Sequence, residues 1–384
     1  MFSKRCDVAI INRTFWPENK IIGEALLQLA ELSSDGNKVC VITQSEGDIE
    51  NSLIKESRGQ DIVVSACKAR SDSTTHLVWR MIDALVFMFW TLLILMLKRP
   101  KRVYVATDPP VVVPFIVFIY AKLSRAKYVY HLQDIHPEAA NIIIPLNRYL
   151  FKALQRLDSV VMRHAESIIT LTETMKHEIV NRSSTNSEIY LVDNPTVMPD
   201  GKNVIEKKAG FVFCGNAGRL QRIPLLLQSI KLYHQNGGEL PFVFAGGGLY
   251  SNDIQALADK SDKVTYLGVI PPEDAAELIA GYQWALLPIN DEVTKYAFPS
   301  KTSSYVVSGT SILSICSNDT SVAKWVVENE FGVNALANEA ELVQTYFSIE
   351  KKTIQVAILN NESMKKNLGI PIFVKKLNEI IFRL

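Results

Sequence analysis

The stretch FVFCGNAGRLQRIPLLLQSI, residues 211–230, runs from a short apolar segment through two glycines and two arginines to a proline that opens a row of apolar residues. Proline is favoured in the first turn of a helix, because the N–H it lacks has no partner there. The stretch therefore reads as strand, tight turn, helix. A turn of this kind can present backbone N–H groups, together with Arg219 or Arg222, to a phosphate. An ordinary strand-to-helix turn with solvent-facing arginines has the same local pattern.

The unit recurs on either side. Apolar, β-branched runs at Phe242–Ala245, Val264–Leu267, Ala285–Ile289 and Ser311–Ile315 alternate with helical segments such as Pro224–Tyr233 and Asp253–Ala258. Upstream, similar runs lie at Asp7–Asn12, Val39–Thr43, Ile62–Ala66, Val103–Thr107, Tyr128–Leu132, Ile168–Thr170 and Ile189–Val192. Between them lie segments with helical spacing, Ile22–Leu32 among them. Strands of nearly continuous apolar character that alternate with helices predict parallel sheets covered on both faces. The Pro-, Asp- and Gly-rich stretch VDNPTVMPDGKN, 192–203, breaks the alternation. The fold class is therefore α/β, with two doubly wound Rossmann-like domains facing across a cleft: residues 1–193, a linker at 194–203, and residues 204–384. The last helical segment, Ile372–Arg383, fits either domain.

At 384 residues the chain is long enough for two cores. Its 41 basic and 40 acidic side chains nearly cancel, so no nucleic-acid partner is expected. Five scattered cysteines without a Cys-x-x-Cys pair read as core fillers in a reducing compartment. The N-terminus lacks a signal-like apolar core, which predicts a cytoplasmic protein. The longest apolar run, Ala84–Leu97, has 14 residues, against about 20 for a spanning helix. It reads first as a helix buried against a sheet. A second reading follows from Lys98–Lys127, where seven basic residues and one acid leave +6 around another apolar run. Such a surface attracts an anionic membrane.

FPSKTSSYVVSG, Phe298–Gly309, places Lys301 at the start of a short helix, where a cation beside free N–H groups makes an anion site. The AGGG turn with Gly246 and Gly247 permits close backbone approach. GxGxxG, P-loop and Asp-x-Asp patterns are absent. This speaks against an oxidoreductase and against a metal carrying phosphates, so no cofactor and no metal are expected.

Seven segments occur in family order: FWPENKIIGEALLQLAELSSDGNKVCVITQ, RPKRVYVATDPPVVV, YHLQDIHPEAA, GNAGR, FVFAGGG, KVTYLGVIPPED and PSKTSSYVVSG. Together they resemble, over nearly the whole chain, retaining glycosyltransferases of the GT-B fold, glycosyltransferase family four, in the branch that builds bacterial O-antigen, capsule and colanic-acid-like polysaccharides.

The resemblance implies a nucleotide-sugar donor, a UDP-sugar, in the C-terminal domain and a polyprenyl-diphosphate-linked saccharide acceptor in the N-terminal one. The enzyme would be peripheral on the inner face of the cytoplasmic membrane. Gly215, Asn216, Gly218 and Arg219 would hold the diphosphate with Arg222, Ser300 and Lys301. Lys301 and Arg219 would also neutralise the leaving group. Gly246, Gly247, Gly268 and Ile270 would border the base, and a loop at Gly23 would close on the donor. Asp134, as a catalytic group, and His136 would face the acceptor. Two departures stand out: Ser304 occupies the position where many members carry a ribose-binding glutamate, and Asn216 and Gln221 replace the usual Arg and Lys of the first glycine-rich loop. A nucleotide-sugar 2-epimerase on the same scaffold and a catalytically silent binding subunit are the alternatives.

Overall fold

The computed structural model describes residues 5–70, 77–197, 206–354 and 366–383. The chain divides after Pro195 into two compact units, and the C-terminal helix Ile370–Phe382 belongs to the first. Most of the expected linker, residues 198–203, lies outside the described residues.

The first unit runs β1 (Val8–Ile11), α1 (Ile22–Ser33), β2 (Val39–Ser45), α2 (Ile49–Lys55), β3 (Ile62–Lys68), α3 (Leu77–Lys98), β4 (Arg102–Ala106), α4 (Val112–Ser124), β5 (Lys127–His131), α5 (Glu138–Ile143), α6 (Arg148–His164), β6 (Ser167–Thr170), α7 (Glu173–Ser183) and β7 (Glu188–Leu191). Its seven strands are parallel, in the order β3-β2-β1-β4-β5-β6-β7. β1 and β2 are buried along their whole length, which is why their residues show no polar alternation. The C-terminal helix packs on α1 through an apolar face of Phe373, Val374, Leu377 and Ile381, and Ser33 Oγ donates to Asn378 Oδ1 at 2.8 Å.

The second unit runs β8 (Lys208–Cys214), α8 (Ile223–Gln235), β9 (Phe242–Ala245), α9 (Ser251–Ala258), β10 (Val264–Tyr266), α10 (Pro272–Ala280), β11 (Tyr282–Pro288), α11 (Lys301–Val307), β12 (Ser311–Ile315), α12 (Ser321–Glu328), β13 (Gly332–Ala335) and α13 (Glu339–Glu350). The sheet is parallel, in the order β10-β9-β8-β11-β12-β13. Its core stacks Phe211 on Phe242, with Tyr233 and Tyr346 edge-on. Pro224 falls in the first turn of α8, where the sequence puts it.

Two elements depart from the sequence reading. β13, GVNA, carries glycine and asparagine, which are poor strand formers. The glycine is required because a Cβ at 332 would lie 1.9 Å from the Ile312 carbonyl oxygen of the neighbouring strand. The helix expected over 14 apolar residues has 22, because it extends N-terminally through residues with charges at Arg80 and Asp83.

In both sheets strand addition reverses beside the first strand, between β1 and β4 and between β8 and β11. Doubly wound sheets bind ligands at the C-terminal strand ends of such switch points.

Candidate active site

In the second unit the β8/β11 switch point is where the glycine turns and Lys301 meet. Gly215, at the end of β8, has φ +136, and a Cβ there would stand 3.0 Å from Lys301 Nζ. The glycine thus leaves the space that the lysine head fills. The ammonium lies 4.2 Å over the Phe213 ring, is shut off from solvent, and has no hydrogen-bond partner among the described residues. Burial lowers its pKa to about 8, with the Cys214 thiol acting weakly the other way. Tyr305 fixes α11 against the sheet, its hydroxyl lying 3.4 Å from the carbonyl oxygens of Cys214 and Leu286. Because α11 has only seven residues, the charge of the site resides in the side chain more than in a helix terminus. A buried cation without an acceptor is costly. An anion delivered to it removes that cost.

The glycine turns differ from the sequence reading in one respect. The amide of Gly215 donates to Ala245 O (2.9 Å), Ala217 to Gly247 O (2.8 Å), Gly246 to Gly268 O (2.7 Å) and Gly218 to Gln221 Oε1 (3.1 Å). A Cβ at Gly246 would lie 2.1 Å from Gly215 O. These glycines let the loops after β8, β9 and β10 stack on one another, and their amides are spent there. Asn216 and Arg219 are exposed, and Arg219 opens a single 3-10 turn, Arg219–Gln221. Gly268 takes φ +66 with open space around its Cα, and Ile270 is half-buried nearby in sequence.

Arg222 requires a correction. It was expected to offer its charge to the donor, but its Nε donates to Ile289 O at 2.7 Å and its guanidinium pairs with Asp291 at 2.9 Å. Asp291 also accepts from the Ser317 amide (3.0 Å) and hydroxyl (2.8 Å). Burial alone would raise the Asp291 carboxyl, but Ser317 and Arg222 outweigh it and hold it below its ordinary value. Arg222 is a strut tying the β8–α8 turn to the ends of β11 and β12. Ser304 shares a hydrogen bond of 3.0 Å with Thr196, while Ser300 is exposed just before α11.

In the first unit Gly23 is also corrected. It lies in the first turn of α1, and a Cβ there would come within 2.6 Å of the Phe15 carbonyl carbon. Its amide and those of Ile21 and Ile22 face Asn19 Oδ1. Gly23 is a packing glycine under a capped helix rather than part of a closing loop.

Asp134 and His136 follow β5 on a turn braced by buried charge. Arg182 donates to His136 O (2.8 Å) and Glu138 (2.6 Å) and pairs with Asp158, which also accepts from Tyr130 at 2.7 Å. Burial raises the Asp134 carboxyl to about 6. Burial, reinforced by Arg182, lowers His136 to about 4. At neutral pH the aspartate is charged and the imidazole neutral, and the His136 Nδ1 is shut from solvent without a partner among the described residues.

The sequence reading missed a third cluster, at the β1/β4 switch point. Arg13 pairs with Asp83 at 2.9 Å, Gln44 donates to Asp83 at 3.2 Å, and Thr14 donates to Asp108 at 3.1 Å. Burial raises the Asp108 carboxyl. The available signal was polar residues, Asn12–Thr14 and Thr107–Asp108, directly ending two apolar runs.

Two parallel α/β units of seven and six strands, each with a switch point beside its first strand, make this a GT-B fold. Alr3699/HepE of Anabaena, solved in complex with UDP, superposes with a TM-score of 0.66 at 12% identity, covering 98% of this chain and 100% of that one. WaaG, a glycosyltransferase involved in lipopolysaccharide biosynthesis, gives 0.63 at 14% identity over 97% of this chain and 99% of its own. Sucrose-phosphate synthase from Thermosynechococcus elongatus gives 0.70 at 12% identity over 99% of each. In sequence, the probable glycosyltransferase WbjE of Pseudomonas aeruginosa is 22% identical over 229 residues, 56% of this chain and 57% of that protein. The match therefore spans little more than half of that relative. A scan against known protein families matches none.

Proposed function

We propose that this chain is a retaining glycosyltransferase that moves a sugar from a nucleotide donor, a UDP-sugar, onto a polyprenyl-diphosphate-linked saccharide in bacterial surface-polysaccharide synthesis, working at the inner face of the cytoplasmic membrane. The observation that carries this reading is the solvent-shielded Lys301 ammonium at the second unit's switch point, without a hydrogen-bond partner among the described residues. Its surroundings suit a diphosphate. The names of WbjE and WaaG and the UDP bound to HepE support transfer from a nucleotide sugar over epimerisation.

In this reading the bond between the anomeric carbon and the diphosphate oxygen breaks, and the acceptor hydroxyl oxygen bonds to that carbon on the same face. Lys301 and Arg219 neutralise the charge gathering on the departing diphosphate without a metal. One preorganised cation of this kind typically contributes roughly 100-fold to 1000-fold in rate. Asp134, ionised at neutral pH, accepts a hydrogen bond from the acceptor hydroxyl and takes its proton as the hydroxyl oxygen bonds to the anomeric carbon.

The test is a thermal-shift screen of UDP-, GDP- and dTDP-sugars on the purified protein, followed by transfer assays. UDP-sugars are expected to raise the melting temperature and to be consumed. The absence of stabilisation by any nucleoside diphosphate overturns the proposal. Transfer should also fall as pH drops through about 6, where Asp134 takes up a proton, and Asp134→Asn should remove that limb of the profile.

A further inference from the structure

α3 carries its polarity inside out. A helix lying on a sheet ordinarily buries its apolar stripe and exposes its charges. Here the buried stripe contains Asp83, Thr91 and Lys98 beside Phe87 and Leu95. The exposed stripe is Trp79, Ile82, Leu85, Phe89, Leu93 and Met96, spaced three or four residues apart along the helix. Trp79 and Phe89 are 62% and 63% exposed. Only 33% of the apolar window in this helix is buried, so it is not the core helix that its composition suggests.

The helix also does not leave the sheet. At 22 residues it is about 33 Å long, enough to span a bilayer. It is nevertheless pinned: Asp83 pairs with Arg13 and accepts from Gln44, and the Trp90 indole N–H donates to Ser65 O at 3.0 Å. Drawing it into a bilayer would break a buried ion pair. The exposed charges on α3, just beyond its C-terminal end and on α4 are basic, while the acids Glu46, Asp48 and Glu50 line a groove with Trp90 and Ile94 on the side toward β3. Asp83 is the only acid on α3 and is buried, whereas Arg80, Arg99 and Lys101 are exposed on it or just beyond its end. α4, which packs on α3, adds exposed Lys122 and Arg125.

We propose that the outer face of α3 is the surface by which this protein lies on an anionic lipid bilayer, with its aromatic and aliphatic stripe in the headgroup-acyl boundary and the flanking lysines and arginines on lipid phosphates. An interfacial helix has this composition, apolar on the wetted face and basic at the margins. The inference rests on the proposed lipid-linked acceptor and gives that reading its docking element.

The test is co-sedimentation of the full chain with phosphatidylcholine vesicles made with and without phosphatidylglycerol, at low and high salt. The wild type should pellet with the anionic vesicles and be released by salt. The double variant Trp79→Glu/Phe89→Glu changes only exposed positions, and it should bind those vesicles at least about tenfold more weakly. Its stabilisation by UDP should be unchanged, so a failure of docking is distinguishable from a failure of the donor assignment. Three outcomes overturn the proposal: no binding of the wild type to anionic vesicles at low salt, equal binding by the double variant, or a variant that dissociates an oligomer in light scattering while its lipid binding is intact. Resistance of the native membrane-bound protein to alkaline carbonate extraction would mean that α3 spans, which also contradicts it.

Discussion

Arg182 and Lys301 are both cations drawn into the protein interior, one in each unit, and their surroundings are opposite. Arg182 touches two carboxylates, a backbone carbonyl and the Met162 sulfur. Lys301 has an aromatic face and a glycine beside it, with no acceptor for its protons among the described residues. A buried charge whose counter-charges are supplied by the protein holds structure in place, as at Arg182, where only Nε is without a hydrogen-bond partner among the described residues. A buried charge without them raises the free energy of the folded chain, and it is retained where a ligand supplies what is missing. Lys301 therefore supports the proposed donor site, and Arg182 is a brace.

The largest effect should come from breaking the brace. Arg182→Met leaves Asp158 and Glu138 buried without their counter-charge, and breaking such a network costs about 3–5 kcal/mol. Urea unfolding should show the loss in the transition of the first unit, while UDP still stabilises the second. Arg182→Lys keeps the charge but not the two-pronged geometry, so its stability should fall between. Wild-type stability in Arg182→Met would erase the contrast.

Lys301→Met should act in the opposite sense on stability and strongly on rate. Transfer is expected to fall by roughly 100-fold to 1000-fold. The folded protein, by contrast, should become more stable at neutral pH. Burial lowers the ammonium from 10.5 to about 8, so the unfolded chain binds its proton more tightly than the folded one. The resulting penalty, about 3 kcal/mol, is complete below pH 8 or so and fades as pH rises toward the unfolded value. The stability gap between variant and wild type should therefore be wide at about pH 7 and narrower at about pH 9.5. A diphosphate at Lys301 restores the ordinary affinity for the proton, so donor binding above about pH 8 should take up a proton. Calorimetry in buffers of different ionisation enthalpy measures that uptake. A variant that is both less stable and fully active would make Lys301 a structural residue like Arg182.

What the sequence disclosed and what it hid divide along the range of the interactions. The strand-turn-helix at 211–230 was legible because its cues, an apolar run, glycines and a proline, lie within twenty residues. The helix start at Lys301 was legible for the same reason. Arg222 was misread because its partners, Ile289 and Asp291, come from another strand end, and a charge next to a glycine turn looks the same in sequence whether or not it is already paired. Gly23 was misread because the obstacle that demands glycine is the backbone of Phe15, brought close only by folding. The β1/β4 cluster was missed because Arg13 and Asp83 are seventy residues apart. The exposed face of α3 came only as a second reading, since an apolar helix reads alike whether its neighbour is a sheet or a membrane.

The smallest effect tests a case between the two cations. Ser304 stands where the sequence resemblance leads to the expectation of an acid, and its hydroxyl is shared with that of Thr196, itself 4% exposed. This is a satisfied but neutral contact, so neither the penalty of Lys301 nor the large stake of Arg182 applies. Ser304→Ala removes one hydrogen bond and leaves the Thr196 hydroxyl without it, an effect of about 1 kcal/mol on unfolding. If the pair only ties Thr196 to α11, donor-induced stabilisation should be the same in variant and wild type. If the hydroxyls also meet the nucleotide, the KM for donor should rise while kcat holds, because a contact made equally in ground and transition states is lost. Thr196→Val, close in shape but without the hydroxyl, separates the two. A change in donor KM shared by both variants would extend the donor site from Lys301 along α11, and no change in either would confine it to the β8/β11 switch point.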